Sequence, residues 1–147
     1  MGKKPELLSP AGDWEKLQMA VLYGADAVYL GYAAYSARAG AGNFDEQQLR
    51  DAVRFAHLHH VRVHVTVNTL IKDGEMAGVV DVLRLLSEIR VDAVLVQDLG
   101  VLRMARRCFP DLPIHASTQM AIHNATGVRF CRCLLYTSPS PRDISGS

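Results

Sequence analysis

The sequence predicts an α/β fold of alternating βα units. Two architectures fit: a partial (β/α)₈ barrel, with about five of its eight strands present, or an open doubly wound parallel sheet. Three observations lead there. Short apolar runs too brief for helices alternate five times with stretches whose apolar residues recur at helical spacing. The apolar runs are apolar on both faces, as strands buried on both sides of a parallel sheet are. An internal echo also appears, with "GADAVYLG" and "VDAVLVQD" placing Asp26 and Asp92 at equivalent positions two βα units apart.

The elements follow in order. "PELLSP" is a first strand ending in Ser9-Pro10, and "AGDWEKLQMAVLYG" is a helix with Trp14, Leu17, Ala20 and Val21 on one face. Asp13 is its N-cap and Gly24 its stop. "ADAVYLG" is the second strand, and the loop "GYAAYSARAGAGN" leads to a helix from Asp45 to Leu58 that aligns Leu49, Ala52, Val53 and Ala56. "VRVHVTV" alternates four valines with Arg62, His64 and Thr66, the period of a strand. After the polar turn "NTLIKDG", a third helix sets Met76, Val79, Val80, Leu83 and Leu86 in phase, and "DAVLVQD" is the fourth strand. A helix from Leu99 to Phe109 is stopped by "PDLP", because proline lacks the amide donor and restricts the residue before it. "IHASTQ" is strand five, and Asn124 is the cap of a fifth helix.

Composition narrows the function classes. With 147 residues, 49% hydrophobic and 21% charged, the chain is of globular type. Its 16 basic and 15 acidic side chains are interspersed, so no long-range field draws nucleic acid or an anionic membrane, and any such contact is local. No apolar run is long enough to span a bilayer and no secretory leader is visible, so a cytoplasmic protein without membrane attachment is expected. Cys108, Cys131 and Cys133 form no disulfide framework, and Cys131-Arg132-Cys133 has the wrong spacing for a metal site. No P-loop, H-E-x-x-H or G-x-S-x-G pattern occurs, and "GAGN" lacks the spacing of a dinucleotide fingerprint.

Polar residues gather where the strands end: Ser9 after strand one, Ser36 and Arg38 in the loop after strand two, Asn68 after strand three, Gln97 and Asp98 after strand four, and His115, Ser117, Thr118 and Gln119 on or after strand five. In either parallel architecture those ends share the ligand-binding face, so these ten residues are a candidate substrate-binding rim. Each has a plainer reading too. Asn68 can cap a turn, and Asp98 stands where an N-cap belongs. His115 depends on which way its strand position points, and the hydroxyls and amide of "HASTQ" can satisfy one another in a barrel mouth. Arg38 can clamp a carboxylate or phosphate or sit solvated in its loop. His57, His59 and His60 close a helix on the opposite, non-catalytic face, where cationic groups complement the helix dipole.

Six blocks, "KPELLSPAGD", "YGADAVYLG", "SARAGAGNF", "VTVNTLIKD", "VDAVLVQDLGV" and "LPIHASTQMAIHN", occur here in the order found in the N-terminal half of the collagenase-like peptidase family U32. The chain resembles that family from about Lys4 to Phe130. The resemblance implies a TIM-barrel-like domain in a bacterial enzyme. It further implies oxygen-independent hydroxylation of tRNA or ribosomal RNA, with prephenate as oxygen source and an iron–sulfur cluster on cysteines that the family carries in its later half, outside this chain. Proteolysis, as the family name says, and hydroxylation of a quinone precursor are the alternatives. A small anionic substrate such as prephenate and an RNA are the implied partners. No catalytic residue is assigned, and neither a metal nor a cofactor is expected on these residues.

The end of the chain reads differently. "CLLYTSPSPRD" is rich in Pro and Ser and has neither helical nor strand period, and Cys133 to Asp143 read back into codons gives a common transposon-type sequencing adapter. Residues 1–132 are therefore read as the N-terminal portion of a barrel-like domain, and 133–147 as a non-native disordered tail. A chain cut at that point leaves sheet edges uncovered, so it is expected to fold poorly and to be inactive by itself.

Overall fold

The computed structural model describes residues 5–32, 44–69, 71–117 and 124–135. Five strands, β1 (Leu8–Pro10), β2 (Ala27–Gly31), β3 (Arg62–Val67), β4 (Ala93–Val96) and β5 (Ile114–Ala116), alternate with five helices, α1 (Trp14–Leu22), α2 (Glu46–Leu58), α3 (Met76–Glu88), α4 (Leu99–Cys108) and α5 (Ala125–Leu135). All strand pairs are parallel and the sheet order is β1-β2-β3-β4-β5.

That order decides between the two architectures. A doubly wound sheet reverses its strand order part-way and carries helices on both faces. Here every strand adds beside the one before it, and right-handed crossovers then carry all the helices over the same face. The sheet is singly wound and open, a partial barrel, and the doubly wound alternative is set aside.

Register shows how the two faces divide. Val28, Val63 and Leu30, Val65, Val94, Ile114 lie in two rows of paired positions. With Val67 and Val96 these side chains join Leu17, Leu49, Val53, Leu83, Leu86 and Leu102 from the helices in one buried core. The alternate positions, Tyr29, His64, Thr66, Leu95 and His115, point to the other, concave face, with Ala27 and Ala93 filling its floor.

Local chemistry sets most of the element ends. Asp13 accepts from Lys16 N at 2.8 Å to cap α1, and Gly24 ends it at φ +87°, a conformation that favours glycine. Asp45 and Gln48 form a reciprocal capping box on α2, at 2.8 and 3.0 Å. Asn124 accepts from Gly127 N at 2.8 Å and caps α5 as expected. Several boundaries depart from the sequence reading, among them the start of α2, which lies at Glu46 with Asp45 as its N-cap. The turn after β3 closes into a short 3₁₀ turn, Asp73–Glu75, held by Lys72 N donating to Glu75. Helix α4 stops at Cys108, with Phe109 as its C-cap. Helix α5 runs on to Leu135, so Cys133–Leu135 continue it in backbone conformation.

The aspartate echo is a structural device. Asp26 accepts from Leu7 N at 2.8 Å, and Asp92 accepts from Val63 N at 2.7 Å. Each carboxylate sits just before its strand and ties down the preceding strand, at the N-terminal end of the sheet. Asp92 also meets His57 Nε2 at 2.7 Å, which engages the first histidine of "HLHH"; His59 Nδ1 lies 2.9 Å from the Phe55 carbonyl, and His60 adopts φ 59° after the helix. Among the described residues no three His, Cys, Asp or Glu side chains gather as metal ligands.

Candidate functional site

Three neighbouring strands bring polar residues to their C-terminal ends. Thr66 is buried on β3 and donates to the Leu30 carbonyl at 3.3 Å. Asn68 and Gln97, both half-buried, follow β3 and β4, and Ser117 follows β5 with 4% exposure. The amide of Ser117 donates to the Val96 carbonyl at 2.7 Å, so the ladder continues past the formal end of β5 and holds the residue in place. By strand alternation Thr66, Asn68, Gln97 and Ser117 all belong to the concave side. Asn68, Gln97 and Ser117 each have interactions of their own. The rim offers neutral amides and hydroxyls, groups that can both donate and accept.

Asp98 proves to be a cap, and more. Oδ1 accepts from Val101 N at 3.0 Å, the N-cap bond of α4, while Oδ2 accepts from Ile71 N at 3.1 Å in the loop after β3. Both oxygens are thus engaged by backbone. Ser9 is not beyond the first strand but in its middle, paired with Val28, whose side chain lies in the core under the helices. The strand ends at Pro10, which pairs with Tyr29. Ser36, Arg38, Thr118 and Gln119 lie outside the described residues.

His115 is on the concave face and exposed, and its ring meets that of His64 edge to face at 5.5 Å between centroids. The His64 side chain is 11% exposed and 3.9 Å from Glu6, which also pairs with Arg62. Burial holds the His64 imidazole below its ordinary value of 6.5, and the charge of His115 acts in the same direction; Glu6 and Asp92 oppose this and Arg62 adds to it. The nearby carboxylate does not win, because at 3.9 Å it is not in hydrogen-bond contact while the ring itself is buried. His64 and Thr66 were missed as site residues in the sequence. The signal was there: a barrel strand whose second face reads Arg62, His64, Thr66 puts chemistry on the inside.

A family model for peptidase family U32 matches residues 12–137. The chain belongs to peptidase family U32. Among curated relatives it is 39% identical over 128 residues to the tRNA hydroxylation protein P1 of Bacillus subtilis, covering 87% of this chain and 30% of that protein. It is 38% identical over 125 residues to a 23S rRNA 5-hydroxycytidine synthase of Escherichia coli, covering 85% and 18%. A protein named collagenase from Porphyromonas gingivalis is 31% identical over 126 residues, covering 85% and 30%. This U32 chain therefore spans at most about a third of the length of those relatives. Among solved structures a U32 peptidase superposes with a TM-score of 0.71 at 16% identity, covering 91% of this chain and 57% of that one, and shares the fold.

The described residues do not fit an iron–sulfur cluster. Cys108 is exposed at the end of α4 on the helix side of the sheet, and the side chains of Cys131 and Cys133 lie outside the described residues. No helix among the described residues is long and apolar enough to cross a membrane.

Proposed function

We propose that this chain is the substrate-facing N-terminal part of a U32 enzyme that hydroxylates RNA. The observation that carries the reading is the row of Thr66, Asn68, Gln97 and Ser117 along the ends of three adjacent strands. Amides and hydroxyls presented together suit the donor and acceptor edge of an unstacked base, which is how single-stranded RNA is read. Relatives whose names state tRNA hydroxylation and 5-hydroxycytidine synthesis support it. A net charge of +1 leaves phosphate attraction to local groups or to other parts of the enzyme. An oxygen-donating dicarboxylate such as prephenate, and an iron–sulfur cluster with ligands outside the described residues, belong to the same proposal, as does a cytoplasmic location.

Proteolysis is the second reading, favoured by the relatives named protease and collagenase. It would need an accessible nucleophile beside a base. Ser117, two residues from His115 on the same face, is buried.

The test is restoration of hydroxylated nucleosides. The full-length gene is placed in a bacterial strain lacking its own tRNA hydroxylation protein, and tRNA and rRNA digests are analysed by mass spectrometry. Return of a hydroxylated nucleoside, and its loss with Gln97→Ala, is the expected result. No hydroxylated nucleoside, together with cleavage of gelatin by the purified protein, would overturn the reading in favour of proteolysis.

A further inference from the structure

We infer that Asp98 is a positioning residue that assembles the rim, a strap joining two loops. This rests on the rim reading above, and it goes further by naming what holds the rim in register. Asn68 and Gln97 come from different loops, after β3 and after β4, and loops at strand ends are the mobile part of such folds. Asp98 directly follows Gln97. One carboxylate oxygen accepts from Val101 N at 3.0 Å, fixing the start of α4, and the other accepts from Ile71 N at 3.1 Å, three residues after Asn68. A single side chain thereby locks the backbone carrying Gln97 to the backbone carrying Asn68.

Two neighbours fit the strap. Ile71 is packed against the core, so the tethered amide is anchored on its side-chain end as well. Gly100 leaves the room the carboxylate uses, since a Cβ there would lie 3.0 Å from Asp98 Oδ1 and 3.4 Å from Met76 Cε. An N-cap alone needs one oxygen, and Asp13 on α1 shows that simpler form, with its backbone bond going to Lys16 N. The second bond on Asp98, to a residue 27 positions away, is what a cap does not require.

The two functions separate by substitution in the full-length protein. Asp98→Ser keeps a good N-cap but is too short to reach Ile71 as well, while Gly100→Ala crowds the carboxylate from a different residue. Both are expected to speed amide exchange at Ile71 by about tenfold or more, as loss of a bond to a charged acceptor does. Both are expected to raise the KM for an RNA transcript at least about tenfold, because misplaced contacts cost binding and orientation. Asp13→Ser, the control cap, changes neither. Unchanged exchange at Ile71 in Asp98→Ser overturns the strap, whatever the enzyme's activity. Faster exchange with an unaltered KM overturns its positioning role. If the wild-type protein hydroxylates no RNA, the proposed function fails, while the exchange measurement still decides whether the strap exists.

Discussion

Replacing Asp92 with alanine is expected to cost about 2 kcal/mol of stability, far more than the same change at its counterpart Asp26. The amount follows from what each carboxylate holds. Asp92 Oδ2 accepts from Val63 N at 2.7 Å and contacts His57 Nε2 at 2.7 Å, and its side chain is 30% exposed. A hydrogen bond to a charged acceptor is worth about 1.5–3 kcal/mol, taken at the lower end here because the site is partly hydrated. The half-exposed His57 contact adds about 0.5 kcal/mol. Val63 is fully buried, so its freed amide has little access to water. Asp26 holds Leu7 N in an exposed setting beside the short strand β1, and its loss is expected to cost under about 1 kcal/mol. In urea unfolding, with a slope near ~2 kcal/mol per molar, Asp92→Ala moves the midpoint down by about 1 M and Asp26→Ala by less than about 0.5 M. Asp92→Asn, which retains an acceptor for Val63 N, falls between. Equal losses at the two positions, or an Asp92→Ala midpoint within error of wild type, would show that the paired aspartates do not tie the strands as described.

Acid is expected to weaken the fold through His64. Its folded-state value lies below the unfolded 6.5, so above pH 6.5 both states are neutral there; as pH falls below 6.5 the unfolded chain takes up the proton first and stability drops down to the folded value. The groups facing it are His115, Glu6, Asp92, Arg62 and, in register, Tyr29. Melting temperatures from pH 7.5 to 5 should fall less in His64→Gln than in wild type, and parallel curves would refute the assignment. Leu83→Ala, at a fully buried position of α3, is expected to cost about 2–5 kcal/mol and lower the melting temperature by about 10 °C. Gly24→Ala is expected to lose about 1 kcal/mol at φ +87°, whereas Gly74→Ala, in open space without a positive φ, should be neutral within about 0.5 kcal/mol; calorimetry on the pair checks this.

The alternation of strands and helices was legible because each apolar run and each amphipathic stretch carries its own period. The caps at Asp13, Asp98 and Asn124 were legible for the same local reason, each satisfying an amide three residues on. Strand order was not, since no period encodes which strands pair, and barrel and doubly wound sheet share the same units. At the site, Asn68, Gln97 and Ser117 announced themselves by ending apolar runs. Ser9 misled because a serine following two leucines looked like the residue beyond a strand, although it pairs with Val28 inside β1. His64 was hidden by the regular alternation that made its strand so easy to recognise. The second bond of Asp98 spans 27 residues and belongs to no local pattern.

The sequential strand order also has a meaning for synthesis on the ribosome. Each new βα unit can dock on the one just made, so the layer grows in the direction of translation without waiting for a distant partner. Until later segments arrive, the nascent half-barrel presents the free rim of β5 as its growing point. At the opposite border Pro10 lacks an amide donor, which blunts β1 as a template for a stray chain. Chaperone traffic on this protein should therefore concentrate on the β5 side while the chain is still emerging.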